Sequence, residues 1–305
     1  MKTTLAVYFG IDRTYAAIFS QNAQGIEVLH IGIFPQILQK PEDIQAIASA
    51  LKKEFAPFSS MIQECHFSIP IEKVFIYQLP PTAIDNTDEI KAMLAHEIRQ
   101  SLPDAVLSDF DIYIIPGSTP SVPAPYLLAI LTEQAYVQIC KQAFSSFHVP
   151  IEYAQNSQFA AHSAFAYNYP EFADKTAVIF GVQDNFMDVS VIHNNQLAFY
   201  SLFGIPSQEN FGSIAVKVMT SILPQYIPTP DIALLYSNGL EKKLMDILAE
   251  GVTVPVKRLN AFRNIIPAPT LTVAAITLCG KTAHLFPAVL GAMLPPLQEK
   301  DCIRL

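Results

Sequence analysis

Few residues in this chain stand at spacings that do chemistry by themselves. Gly280-Lys281-Thr282 ends like a phosphate-binding loop, in which backbone N–H groups cradle phosphate while the lysine and hydroxyl reach phosphate and metal. The full motif needs a glycine five residues before Gly280, and Ala275 stands there. The preceding segment has a helical pattern, so the match reads as accidental. Asp104, Asp109 and Asp111 lie close enough to suggest an acid–base pair or a cation cage, but such a group at a strand entry is ordinarily solvated. The seven histidines include no close pair at the helical spacing of metal ligands, and His96 beside Glu97 reads as surface. There is no Gly-x-Ser-x-Gly elbow and no cysteine-based redox motif.

Composition narrows the classes further. The 305 residues are enough for two lobes with a core each, and 51% apolar with 15% charged residues is the balance of a folded chain. A net charge of −8 without any Lys/Arg cluster argues against nucleic acid, whose binding rests on phosphate–cation contacts. No apolar run has the length of a membrane span. Cys65, Cys140, Cys279 and Cys302 are scattered, which fits reduced thiols in a cytoplasmic protein.

The elements that would position a site follow from an internal repeat. Ala6-Val7-Tyr8-Phe9-Gly10-Ile11 returns as Ala177-Val178-Ile179-Phe180-Gly181-Val182, 171 residues on, with Tyr15/Phe186 and Ile18/Val189 as further matches. Each copy is an apolar strand, a glycine, a polar turn and a second strand. Strands are expected at 4–9, 14–20 and 25–34, and again at 176–181, 187–193 and 196–203. Helices are expected at 41–55, 157–167, 213–223, 240–250, 272–279 and 284–294, with strands at 65–69 and 232–236. Between the copies lies a strand (73–79), a helix (86–101), two strands (110–115 and 126–131) and a helix (133–147). Residues 117–123 are too proline-rich to be strand and are expected to be a hairpin loop. The expected organisation is a first lobe (1–70 with 149–173), an inserted small α/β unit (71–148), a second lobe (174–294) and a loose tail (295–305).

This order resembles the actin-like nucleotide-binding fold: a duplicated, ribonuclease H-like α/β architecture of two lobes. The position and content of the inserted unit resemble those of the cell-division protein FtsA and the type IV pilus assembly protein PilM. Leu79-Pro80-Pro81 with the following acidic helix and Ser101-Leu102-Pro103, then Leu128 to Thr132 and Val149-Pro150-Ile151-Glu152, are similar to PilM segments in the same order. So are Leu259-Asn260-Ala261-Phe262 and Phe286 to Ala292. The cytoplasmic part of the secretion protein GspL is related to the same family.

The resemblance implies a nucleotide site in which glycine hairpins and a carboxylate-held Mg²⁺ neutralise ATP or ADP phosphates. On this chain the corresponding residues are Gly10, Asp12, Arg13, Thr14, Gly181 and Asp184, with Ser237-Asn238-Gly239 for the adenosine. The pattern is degenerate: aligning on the glycines puts Tyr8 and Ile179 where the two acids belong. Asp12, Asp184 and Asp188 are the remaining local carboxylates, and between Gly212 and Pro230 only one helix fits where relatives carry a further subdomain. No cofactor is therefore expected, with ATP or ADP and Mg²⁺ if the site is retained. In PilM relatives a groove between the first lobe and the insert captures an extended N-terminal peptide of the membrane partner PilN. Its walls here would be Val74, Ile76 and Leu79 with the helix face Ile90, Leu94 and Ile98. The implied role is a cytoplasmic scaffold of a pilus or secretion assembly, held at the inner membrane through a membrane-anchored partner; the acidic surface suits a basic peptide. A divergent ATPase or small-molecule kinase, and an FtsA-like module that self-associates, are the alternatives.

Overall fold

The computed structural model describes residues 2–82, 86–119, 122–183, 185–206, 210–236, 242–297 and 302–305. Its first sheet is built on a meander of β1 (Lys2–Phe9), β2 (Thr14–Asn22) and β3 (Gly25–Phe34). After helix α1 (Ile44–Phe55), strands β4 (Glu64–Ile69) and β8 (Ile151–Asn156) add in parallel on the other side of β1. The second sheet repeats this with β9 (Thr176–Val182), β10 (Phe186–His193) and β11 (Gln196–Gly204), then β12 (Ile232–Tyr236) and β13 (Val256–Arg258) in parallel beyond β9. The strand orders are β3-β2-β1-β4-β8 and β11-β10-β9-β12-β13, the same path run twice. β14 (Ile266–Pro267) extends the first sheet at β3.

The duplication is real, but its register is not the one the sequence suggests. The first hairpin closes with Phe9 opposite Thr14, the second with Val182 opposite Met187. The bulges that follow lie after Ile18 and after Val191. All three landmarks give an offset of 173 instead of 171. Gly10 thus opens its turn, while Gly181 sits inside β9 opposite Asp188.

Both sheets are covered on two faces, which is why their central strands read as continuous apolar runs. Leu5, Val7 and Phe9 pack under α1 and α3 (Gln134–Gln142). Val178, Phe180 and Val182 pack under α5 (Phe211–Lys217), its π-helical continuation Val218–Ile222, and α6 (Lys242–Gly251). The inner faces meet two helices that pass between the lobes, α4 (Ser157–Asn168) and α8 (Pro287–Ala292). These two approach so closely that a Cβ on Gly291 would lie 1.7 Å from the Ala160 carbonyl oxygen. α7 (Val273–Thr282) carries the Gly280-Lys281-Thr282 sequence inside a helix, so no phosphate loop forms there.

The insert is a four-stranded antiparallel sheet with α2 (Thr87–Ser101) on one face. The strands are β5 (Val74–Leu79), β6 (Phe110–Thr119), β7 (Val122–Glu133) and β15 (Ile303–Arg304), in the order β15-β6-β7-β5. Three expectations need correction. Residues 117–119 and 122–123 are strand: β5 ends opposite Leu127 and β15 reaches only to Ile114, so beyond these points the described residues of β6 and β7 pair with each other alone, where a proline costs no bond to a third strand. Helix α3 belongs with the first lobe, because its apolar face (Tyr136, Val137 and Cys140) fills that core and the Tyr136 hydroxyl bonds the Leu38 carbonyl at 2.6 Å. The end of the tail is not loose: β15 returns to the insert as its edge strand, with the Leu305 N–H bonded to the Ile112 carbonyl.

Candidate functional site

The cleft between the lobes is where the resemblance would put a nucleotide. Asp12 and Arg13 are exposed in the first hairpin turn, and Gly10 is required there because a Cβ would sit 2.6 Å from the Arg13 carbonyl. Thr14 is fully buried and gives its hydroxyl to the Gln36 carbonyl at 2.8 Å, so it serves the strand and not the turn. Ile179 lies in the core. Asp184, Ser237, Asn238 and Gly239 lie outside the described residues. The structure therefore brings Asp12 to the cleft, beside Tyr8, Tyr15, Gln183, Tyr236, Leu285 and Ala288. These side chains leave a cavity of about 10 Å³, the room of a single water. Tyr8 and Tyr15 stack with centroids 6.0 Å apart.

Behind the cleft runs a buried polar chain that sequence reading missed. The Ser157 hydroxyl donates to Gln158 Oε1 at 3.0 Å, and Gln158 Nε2 donates to Asp188 Oδ1 at 3.1 Å. One helical turn on, His162 Nε2 and the Ser190 hydroxyl are 2.7 Å apart. α4 thus offers Gln158 and His162, four apart on one face, to Asp188 and Ser190, two apart on one face of β10. The signal was available in the helix, which carries polar residues at 158 and 162 on a buried surface. Gly181 leaves the space that the Asp188 carboxylate and Tyr236 hydroxyl use: a Cβ there would lie 2.1 and 2.7 Å from them. Burial pushes the Asp188 carboxyl up to about 8, against hydrogen bonds from Gln158 and the backbone that lower it. Burial also pushes His162 down to about 3, so at neutral pH Asp188 is largely protonated and His162 neutral. Among the described residues, no group of three or more His, Cys, Asp or Glu side chains is placed to hold a metal ion.

The second candidate is the groove between the insert and α4. The expected wall splits in two. Leu79, Ile90, Leu94 and Ile98 are buried in the insert's own core with Phe110, Ile112 and Ile114, as the four-residue spacing along α2 requires. They cannot face a groove. Val74 and Ile76 point the other way, packed towards α4 and the second lobe. On that same face Asp111, Tyr113 and Ile115 of β6 and Ile130 and Thr132 of β7 line the groove, opposite Gln155, Asn156, Phe159 and His162. The alternation of Phe110, Ile112 and Ile114 with Asp111, Tyr113 and Ile115 carries this information in the sequence.

Two duplicated lobes, α4 and α8 between them, and an insert beside the first sheet define the actin-like fold. No protein-family profile and no curated protein matches the sequence. Among solved structures, the chain is similar to one described as the PilM–PilN type IV pilus biogenesis complex. The TM-score is 0.69 at 12% identity, covering 95% of this chain and 97% of that one. It is also similar to a Bacteroides thetaiotaomicron protein of actin-like ATPase fold and unknown function (TM-score 0.53, 11% identity, 92% and 96% covered). An inorganic polyphosphate/ATP-glucomannokinase from an Arthrobacter strain follows at TM-score 0.50 and 11% identity, with 96% and 97% covered. Among the described residues, no helix is long and apolar enough to cross a membrane.

Proposed function

We propose that this chain is an actin-like scaffold of a pilus or secretion assembly, in which the interlobe cleft has given up nucleotide and the groove beside the insert takes an extended peptide. The observation that carries this reading is that, among the described residues, Tyr8, Tyr15, Gln183 and Tyr236 leave a cavity of only about 10 Å³ between the hairpin turns. A space of that size among the described residues supports a cleft without a nucleotide. Asp188, the acid nearest in sequence to the second hairpin among the described residues, is buried and kept protonated, and so is a poor ligand for a cation. The partner in this reading is a membrane-anchored, PilN-like protein, which would hold the scaffold at the inner membrane. The PilM–PilN likeness supports it, as does the acidic balance of −8, which suits a basic peptide.

The test is a thermal melt with millimolar ATP–Mg²⁺ and with ADP. A ligand at 100 times its dissociation constant stabilises the native state by about 2.7 kcal/mol, a shift of several degrees. No shift is expected. A clear rise would overturn the filled-cleft reading in favour of an ATPase or small-molecule kinase, for which Asp12 is the exposed acid at the cavity. Calorimetric titration with the N-terminal segment of a PilN-like protein encoded beside this chain tests the other half, with binding expected.

A further inference from the structure

The groove already holds a strand, and that strand is the chain's own. Ile303 pairs with Ile114 and Arg304 with Tyr113, antiparallel, and the Leu305 N–H donates to the Ile112 carbonyl at 3.1 Å. The side chains alternate as a strand demands. Ile303 and Leu305 enter the insert core beside Ile112 and Ile114. Cys302 and Arg304 face the groove, where Arg304 Nη2 lies 3.4 Å from Asp111 Oδ1. With this segment in place the groove keeps only about 40 Å³ of free space. A residue of its wall holds a buried donor without a bond: Asn156 is 1% exposed, spends its Oδ1 on the N-terminus of α4, and leaves its Nδ2 unused. Two ladder pairs, the Leu305 bond, the half-buried Ile303 and Leu305 and an exposed ion pair make a hold only four residues long on a sheet edge that would otherwise template another strand.

We propose that the edge of β6 with its groove is a strand-acceptor site held in cis by Cys302–Leu305. The partner it fits is an extended segment with apolar side chains at alternate positions, a basic side chain between them to meet Asp111, and an acceptor for Asn156 Nδ2. Such a partner binds by displacing the resident segment. The identity of the groove's occupant rests on the peptide-binding reading above, whereas the acceptor site itself is tested with a probe that does not depend on that reading.

The probe is a fluorescein-labelled peptide with the sequence of residues 297–305. It is titrated by anisotropy against the full chain and against full-length Ile303→Asp, which expels the resident strand from the insert core. Ile303→Asp is expected to bind the peptide at least ten-fold more tightly than the unaltered chain, and Asp111→Arg in that background is expected to abolish the gain. Arg304→Glu, which touches only an exposed ion pair, gives a gain of a few-fold and covers the case in which Ile303→Asp does not fold. This pattern upholds the acceptor site even if no PilN-like segment binds, an outcome that would sink only the pilus partner. Equal binding by the unaltered and altered chains, or no binding by variants that melt like the unaltered chain, overturns the proposal.

Discussion

The two lobes solve the same packing problem by different chemistry. By hairpin register, Tyr15 and Ala17 of the first lobe occupy the places of Asp188 and Ser190 in the second. The first lobe presents them to α8 in an apolar cluster with Phe286, Val289 and Leu290, the Tyr15 and Phe286 rings edge to face at 5.9 Å. The second lobe presents its pair to α4 through hydrogen bonds, Asp188 accepting from Gln158 and Ser190 sharing one with His162. Apolar contact has no direction and no titration. Buried hydrogen bonds to ionisable groups have both. At this pair of positions the titrating groups therefore lie on the α4 side, while the α8 side answers with apolar burial.

The hardest way to break this comparison is to write the second lobe's chemistry into the first. Ala17→Asp puts a carboxyl at a fully buried position among Phe286 and Leu290 with no Gln158 to meet it. A loss of roughly 3–5 kcal/mol is expected, as for an uncompensated buried charge, measured by urea denaturation at pH 7. A loss below about 1 kcal/mol would mean that α8 can rearrange as freely as a polar interface.

Next comes Asp188→Asn. The carboxyl's ordinary value of 3.8 rises to about 8 in the fold, so between these values the native state holds a proton that the unfolded chain has lost. Stability must fall as pH rises across that window, by up to about 1.4 kcal/mol per pH unit from this group. The variant should flatten the fall between pH 5 and 8 and overtake the unaltered protein near pH 8; an unchanged slope would show that Asp188 is ionised in the fold. The smallest effect is expected from His162→Gln. The imidazole drops from 6.5 to about 3, so the unfolded chain takes up a proton as pH falls below 6.5 and stability is lost towards pH 3. The variant should lose about 1 kcal/mol at pH 7 from the Ser190 bond and be less acid-sensitive from pH 6 to 4.

Much of the architecture was legible, and the failures have physical causes. The meander at both ends of the repeat is written in apolar runs and turns. Its register was not, because shifting a strand by two residues keeps every side chain on its own face; the identities of Phe9/Phe180 and Gly10/Gly181 reward 171, while the hydrogen-bonded hairpins obey 173. Helix α2 was placed correctly, yet Ile90, Leu94 and Ile98 belong to the core that makes it a helix, and a residue so used is not also a wall. The buried chain from Ser157 through Gln158 to Asp188 joins two elements far apart in sequence, so neither shows it alone. Residues 302–305 are too few for any period, and only the open edge of β6 makes them a strand.

The contact of Gly291 with Ala160 sets a rule of length for the join between the lobes. All six residues of α8 are buried, and only at Gly291 is there no side chain to hold the helices apart. Adding or removing one residue ahead of it would turn the bare spot by about 100° around the helix and press a branched or methyl-bearing neighbour against the Ala160 carbonyl. Drift in residue type can be absorbed elsewhere in the cores, but the count of residues from Phe286 to Gly291 is fixed like the pitch of a key.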